Sequence, residues 1–181
     1  MSHWIQDQRL AGSSAIGLDF GDWTPMTEKI EQIFGIKFYN TDFNFDDPSE
    51  SCKFVDRQQR EVPRISEGSI PVICSFEVLE HLFNPLLHLR VCYRYLRPDG
   101  RLFLSTPMGR PNFLVYDQHF HEMPRKKLLS LVEAAGSGVI RYERKFAPSC
   151  PIWHWLYGVR PILRYLDERT VFMELERSSR L

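Results

Sequence analysis

The chain has few of the features that would take it out of the ordinary globular classes. Only four of its 181 residues are cysteines, and no two of them form a Cys-x-x-Cys pair. A disulfide framework and a thiolate zinc site are therefore disfavoured, and free thiols in a reducing cytoplasm are expected. No apolar run approaches the ~20 residues of a membrane span, and the first residues lack the basic-then-apolar pattern of a signal peptide.

Net charge is also absent. Basic and acidic residues number 23 each, so no overall field attracts nucleic acid, and a nucleic-acid partner is not expected. Hydrophobic residues make up 43% of the chain and charged residues 25%, which is typical of a globular protein. The length suits one domain with a proper core, so a single domain over residues 1–181 is expected.

Strand-like and helix-like segments alternate along the chain, and this order predicts an α/β fold with a mostly parallel sheet. Helices are expected to begin at Pro25, Asn84 and Pro124, and Gly35 and Gly136 should end the first and third. Residues 41–69 are polar and show no clear element apart from a possible short strand at 53–55. The remaining predicted strands are residues 15–20, 36–39, 71–75, 102–105, 139–142 and 171–175.

The junction after the predicted strand 71–75 carries the densest chemistry. Glu77, Glu80 and His81 lie just past its carboxyl end, which is where open α/β sheets bind ligands. Residues 77–85 read Glu-Val-Leu-Glu-His-Leu-Phe-Asn-Pro, and residues 96–107 read Leu-Arg-Pro-Asp-Gly-Arg-Leu-Phe-Leu-Ser-Thr-Pro. These two segments resemble the class I S-adenosylmethionine-dependent methyltransferases, most closely the branch that contains the ubiquinone-type O-methyltransferases.

The resemblance implies a Rossmann-like fold with a seven-element, mostly parallel sheet whose last strand is antiparallel, shortened between residues 41 and 69. It also implies that S-adenosylmethionine binds between Gly21, Asp42 and Phe76. In the family a glycine-rich loop follows the first strand, and here Asp19 and Gly21 match that pattern. Trp23 stands where a small residue is usual and is expected near the ligand. The full set implied for the cofactor is Asp19, Gly21, Trp23, Asp42, Ser75, Phe76 and Glu77, with Asp46 and Asp47 as alternatives to Asp42.

The cluster at residues 77–81 permits three interpretations. In the first, His81 or His121 is a general base that removes a proton from a substrate hydroxyl, a task that suits histidine near neutral pH. In the second, a divalent cation such as Mg or Mn is held by Glu77, Glu80, His81 and His119, a mixed set of oxygen and nitrogen ligands. In the third, the cluster is structural. A helical turn over residues 77–81 would place Glu77 beside Glu80 and His81.

The function that follows from the resemblance is methyl transfer from S-adenosylmethionine to a small-molecule substrate. A hydroxyl acceptor is favoured because Thr106-Pro107 replaces the Asn-Pro-Pro motif of amino-group methyltransferases. The alternative is a catalytically degenerate member of the family that acts as a binding or partner subunit, which the unusual Trp23 and Pro25 support. The sequence sets neither the acceptor nor the oligomeric state.

Overall fold

A computed structural model describes residues 15–21, 25–42, 53–62, 65–111, 115, 118–146 and 169–178. The helices are α1 (Pro25–Phe34), α2 (Pro85–Tyr95) and α3 (Arg125–Ala134), and a 3₁₀ turn covers Leu79–His81. The strands are β1 (Ile16–Asp19), β2 (Lys37–Asp42), β3 (Lys53–Val55), β4 (Ile70–Phe76), β5 (Leu96–Pro107), β6 (Ser137–Phe146) and β7 (Arg169–Arg177).

The strands form one seven-stranded sheet in the order β3-β2-β1-β4-β5-β7-β6. β1, β2, β4, β5 and β6 run parallel, whereas β3 is antiparallel to β2 and β7 is antiparallel to both β5 and β6. The predicted α/β, Rossmann-like sheet with an antiparallel last strand is confirmed. The described residues between β2 and β4 contain only the short strand β3, in agreement with the expected shortening.

Local sequence signals explain where the helices begin and end. At the start of α2 the Asn84 side chain accepts a hydrogen bond from the Leu87 amide at 3.0 Å, and Pro85 occupies the first turn. Gly35 and Gly136 follow α1 and α3 with φ values of 68° and 91°, a backbone region that glycine enters without a steric penalty. The predicted starts of the helices and the predicted ends of α1 and α3 are therefore confirmed.

Two apolar clusters cover the two faces of the sheet. Leu18, Ile73 and Leu102 pack with α2 and α3 on one face, and Phe38, Val72 and Phe103 pack with α1 on the other. Neighbouring residues of one strand belong to different clusters because successive strand side chains point to opposite faces. Gly17 in β1 is required by this packing, since a Cβ atom there would lie 2.4 Å from the Phe38 ring. The described residues include no helix that is both long and apolar enough to span a bilayer.

Several finer predictions need correction. The spacing of apolar residues after Asn84 predicts that Leu96 lies on the buried stripe of α2, but the helix ends at Tyr95 and Leu96 begins β5. The residues Pro98-Asp99-Gly100 predict a turn, but they lie inside β5 as an irregularity between the pairs Ile70–Leu96 and Val72–Arg101. Gly100 makes this close packing possible, because a Cβ atom would lie 2.8 Å from Leu96 and 3.0 Å from the Ile70 carbonyl oxygen.

Two of the cysteines, Cys74 and Cys92, are buried free thiols, as predicted. Cys52 and Cys150 lie outside the described residues, as does the aromatic segment 152–166, for which the sequence favours a helix.

Candidate active site

The backbone at Glu77 directs the chain away from β4. Its φ of 55° is in the left-handed region, which a residue other than glycine seldom adopts. The Glu77 amide donates to the Ser105 carbonyl oxygen at 3.0 Å, and Ser105 Oγ donates to the Glu77 carboxylate at 2.7 Å. These two bonds hold the unusual conformation. The prediction of a helical turn over residues 77–81 is wrong in its first half, because the 3₁₀ turn begins only at Leu79.

Glu80 lies at the centre of the polar cluster and is only 1% exposed. Its carboxylate accepts a hydrogen bond from Thr106 Oγ1 at 3.2 Å, and its backbone carbonyl accepts from the amides of Phe120 and His121 at 2.7 and 3.2 Å. Burial, and then the nearby Glu77 charge, raise the pKa of Glu80 to about 8. The 3₁₀ turn and the segment 118–121 are thereby tied together.

His81 extends from the same turn and is half exposed at its side chain. Its Nε2 lies 3.9 Å from Glu80 Oε1, and its Nδ1 lies 3.1 Å from the Gln118 carbonyl oxygen. A carbonyl oxygen can only accept, so the Nδ1 atom of His81 carries the hydrogen in this contact. In the neutral ring the Nε2 lone pair is then available to a ligand or a proton.

His119 completes the cluster from a different part of the chain. Its ring stands perpendicular to that of His81, with 4.7 Å between the ring centroids. Its Nδ1 lies 2.7 Å from Glu122 Oε1, and the other oxygen of Glu122 lies 2.7 Å from Arg110 Nε. The side chains of Arg110 and Glu122 are almost fully buried. Donation of Nδ1–H to a carboxylate fixes the ring and its tautomer, which is the usual arrangement around a metal-binding histidine.

One ligand atom each from Glu80, His81 and His119 lies within 4.8 Å of the others. We call these three residues the acid–imidazole cluster. Two imidazole nitrogens and one carboxylate oxygen suit a divalent cation such as Mn²⁺, so this part of the predicted metal set fits together. Glu77, the fourth predicted ligand, is not in the cluster because its carboxylate is bonded to Ser105. Its charge is still close enough to raise the pKa of Glu80.

His121 is placed differently from His81. Its Nε2 lies 3.3 Å from the Phe83 carbonyl oxygen, and it is not one of the three clustered residues. Phe83 and Phe120 form an exposed aromatic pair beside the cluster, with their ring centroids 4.4 Å apart and exposed fractions of 64% and 50%. This apolar surface was not anticipated from the sequence, although Phe83 lies within the motif and Phe120 lies between the two downstream histidines.

On the other side of the same sheet edge, Asp19 ends β1 and is buried. Thr27 Oγ1 donates to its carboxylate at 2.7 Å, and burial raises the pKa of Asp19 to about 6. Asn40 in β2 donates from Nδ2 to the Gly21 carbonyl oxygen at 2.7 Å, whereas its buried Oδ1 has no hydrogen-bond partner among the described residues. Asn40 was missed in the sequence, where its position at a strand end, two residues before Asp42, was the available signal.

The remaining predicted cofactor residues are distributed unevenly. Asp42 is the last residue of β2 and pairs with Lys53, but its side chain, like the whole of Trp23, lies outside the described residues. Phe76 is half buried at the end of β4. Ser75 is fully buried and lies 2.8 Å from His88 Nε2, so its hydroxyl group is used within the core. The described residues that suit a polar ligand here are thus the side chains of Asp19 and Asn40 and the loop residue Gly21.

Comparison with known proteins gives consistent results. The family described as "Methyltransferase domain" matches residues 8–141 of the chain. The ubiquinone biosynthesis O-methyltransferase of Pseudomonas paraeruginosa is 27% identical over 108 residues, which cover 58% of this chain and 40% of that protein. The enzyme of the same name from Nitrosococcus oceani is 35% identical over 65 residues, covering 34% of this chain and 28% of the relative. The chain thus spans less than half the length of these relatives.

Among solved structures, the fold is similar to that of geranyl diphosphate C-methyltransferase from Streptomyces coelicolor. The TM-score is 0.68 at 12% sequence identity, and the match covers 97% of this chain and 79% of that one. At this level of identity the likeness concerns the fold alone.

Proposed function

The chain belongs to the class I S-adenosylmethionine-dependent methyltransferase family, and from that premise we propose that it transfers a methyl group to a hydroxyl group of a small molecule. The observation that carries this proposal is the acid–imidazole cluster, in which Nδ1 of each imidazole faces a fixed acceptor and one ligand atom from each of the three residues lies within 4.8 Å of the others. Such an arrangement suits the activation of a hydroxyl group, which methyl transfer to oxygen requires.

The β1–β2 half of the sheet edge would hold the cofactor. S-adenosylmethionine, when bound, supplies an electrophilic methyl group on a sulfonium. The unpartnered Asn40 Oδ1 and the Asp19 carboxyl are acceptors for its polar groups, and Gly21 has no side chain to obstruct it. We assign Asp42 to the ribose hydroxyls, because an acidic residue at the end of the second strand has that role in related nucleotide-binding folds. Phe76, at the end of β4, would contact the cofactor from the adjacent strand.

The β4–β5 half would bind and activate the acceptor. We propose that Glu80, His81 and His119 bind Mg²⁺ or Mn²⁺, which would lower the pKa of an acceptor hydroxyl. The contacts of His119 favour this over a lone His81 base. The His119 ring is held by Glu122 and packs against the His81 ring, and a single base would not need a second fixed imidazole. The nearly buried Glu122–Arg110 pair fixes the His119 ring and thereby acts as a positioning element.

The acceptor itself is proposed to have an apolar part. Phe83 and Phe120 offer an exposed aromatic surface directly beside Glu80, to which Phe120 is tied through its backbone amide. An apolar or aromatic body packed on these rings would place its hydroxyl group toward the cluster. A small organic molecule fits this geometry better than a polyanion, because the described edge carries the negative charge of Glu77.

The proposal is tested by two calorimetric titrations of the 181-residue chain. S-adenosylhomocysteine should bind with or without EDTA, and Mn²⁺ added to EDTA-treated, desalted protein should bind once per chain. His119→Ala should lose Mn²⁺ binding and keep S-adenosylhomocysteine binding, and His121→Ala, the matched control, should keep both.

The remaining outcomes discriminate among the alternatives. Failure to bind S-adenosylhomocysteine at millimolar ligand would support the degenerate family member. Cofactor binding without Mn²⁺ binding, together with EDTA-resistant turnover, would support His81 as a lone base.

A further inference from the structure

We propose a second site, which binds the phosphate group of a small anionic ligand, at the edge of the sheet opposite the acid–imidazole cluster. An open cavity of about 540 Å³ lies there, and three arginines from two separate elements line it. Arg90 and Arg94 come from α2, and Arg177 comes from the end of β7. The complete lining is Arg90, Tyr93, Arg94, Ala135, Gly136, Arg177 and Ser178.

Topology separates this cavity from the acid–imidazole cluster. α2 starts at the carboxyl end of β4 and runs back, so Arg90 and Arg94 near its end lie toward the amino edge of the parallel strands. β7 is antiparallel, and its pairing runs from Thr170 opposite Pro107 to Leu175 opposite Leu102. Arg177 therefore lies beyond the amino end of the β5 core segment. The inference does not depend on the proposed methyl transfer.

The cavity lining contains no carboxylate, and the three guanidinium groups make no ion pair with any described residue. Glu176, next to Arg177, pairs with Arg101 at 3.6 Å. Successive strand residues point to opposite faces, so Glu176 is directed away from the cavity. Glu133, in the last turn of α3, is exposed and does not line it.

The carboxyl ends of two helices offset only part of this positive charge. α2 ends at Tyr95 and α3 ends at Ala134, so the carboxyl ends of both helices meet at the cavity. Each helix end contributes a partial charge of about −0.5, so the two ends together offset the charge of about one of the three arginines. A surplus of about two positive charges remains, which is equal in magnitude and opposite in sign to the charge of a phosphate monoester dianion. Guanidinium groups also match phosphate oxygens in geometry.

The test uses sodium pyrophosphate as the probe, titrated calorimetrically into the 181-residue chain at constant ionic strength. We expect saturable binding with one pyrophosphate per chain. The double variant Arg90→Gln/Arg177→Gln should bind at least about tenfold more weakly, since each lost charge-assisted pair contributes strongly to affinity. Lys126→Gln/Lys127→Gln removes the same charge from exposed positions at the other end of α3 and should bind like the wild type.

Circular dichroism of both double variants checks that each is folded, and the residues changed are exposed in the native protein. Equal weakening in the two variants would overturn the proposal in favour of diffuse ionic attraction. Absence of saturable binding by the wild type up to about 10 mM pyrophosphate would also overturn it, because a dissociation constant of that order is too weak for a specific site. A parallel arm measures co-sedimentation with phosphatidylglycerol vesicles, and binding to vesicles without binding to pyrophosphate would assign the arginines to a lipid surface instead.

Discussion

The two halves of the sheet's carboxyl edge are organised differently. On the β4–β5 half, Glu77, Glu80 and His81 all have defined partners within the protein. On the β1–β2 half, Asn40 Oδ1 is buried without a hydrogen-bond partner among the described residues, and burial raises the pKa of Asp19. The first half is already arranged for chemistry, and the second retains unsatisfied polar groups that a ligand would satisfy.

The preorganised part of the site is therefore the β4–β5 half. A hydroxyl group can be activated only if the residues around it are fixed before it arrives, and the fixed acceptors of His81 and His119 supply that order. A cofactor with many polar groups can complete a less satisfied surface by itself.

Loss of either clustered imidazole should have the largest effect. His81→Ala and His119→Ala should each lower kcat by about 100-fold or more, because the activation of the acceptor hydroxyl is lost. S-adenosylhomocysteine affinity, measured by calorimetry, should be unchanged. His121→Ala is the matched control and should keep most of the turnover, because the His121 ring faces the Phe83 carbonyl oxygen and is not part of the acid–imidazole cluster. Wild-type turnover by both His81→Ala and Glu80→Ala would refute the role of the cluster.

Glu122→Gln should separate positioning from stability. The change leaves the buried Arg110 guanidinium without the carboxylate 2.7 Å away, so the free energy of unfolding should fall by about 3 kcal/mol. It also weakens the hold on His119, so Mn²⁺ affinity should fall by about 10–100-fold.

The double variant Arg110→Gln/Glu122→Gln should recover much of the stability, because no buried charge is then unpaired, and should not recover the Mn²⁺ affinity. Denaturant unfolding and calorimetry measure the two quantities. Recovery of both together would mean that the pair is structural only.

Asp19→Asn should stabilise the protein and weaken the cofactor site. The pKa of Asp19 is raised from 3.8 to about 6, so the folded protein holds this proton more tightly than the unfolded chain does. The contribution of Asp19 to the free energy of unfolding is therefore greatest below the unfolded pKa and is lost as the pH rises through the folded pKa. At pH 7 the variant should be more stable by about 2 kcal/mol and should lose this pH dependence.

Asp56→Asn is the contrasting control. Hydrogen bonds from Arg60 lower the pKa of Asp56, so its replacement should decrease stability at neutral pH. Urea unfolding at several pH values between about 3 and 7 distinguishes the two signs, because this range brackets the Asp19 pKa values of 3.8 and about 6. A decrease in stability for Asp19→Asn at pH 7 would contradict the assignment of a buried carboxyl group whose pKa is raised by the fold.

The smallest effect is expected at the aromatic pair. Phe83→Ala removes a largely exposed ring, so the melting temperature should hardly change. KM for an apolar acceptor should rise by about fivefold, equivalent to about 1 kcal/mol of lost apolar contact, with kcat nearly constant. Ile140→Ala, an exposed apolar residue on β6, should change neither parameter. An unchanged KM for Phe83→Ala would remove the aromatic surface from the acceptor site.

The sequence was most informative where structure depends on neighbouring residues. Asn84-Pro85 specified the start of α2 and Gly136 the end of α3, because caps and glycine turns act within one helical turn. The apolar runs at 71–75 and 102–105 specified two central strands, because strands buried on both faces are short continuous apolar segments. The hypothesis that a downstream imidazole joins Glu80 and His81 came from the chemistry of these residue types, and the structure brings His119 into one cluster with them.

Features that depend on distant contacts could not be read in this way. The left-handed backbone of Glu77 exists because Ser105 holds it, and nothing near residue 77 announces that partner. Likewise, Arg110 becomes significant only because folding buries it against Glu122. The Pro98-Asp99-Gly100 signal correctly indicated irregular backbone, but its inclusion in β5 depends on packing against Ile70.

The position of β7 has a consequence for the newly made chain. β7 is the last of the described strands in sequence, yet it lies between β5 and β6 and pairs with both along most of its length. Until it has been synthesised, β5 and β6 each present an unpaired edge, and β5 contains the apolar run 102–104. Such edges are templates for pairing with other chains. A chain that ends before residue 169 would therefore keep these edges unpaired, and we expect it to aggregate more readily than the 181-residue chain.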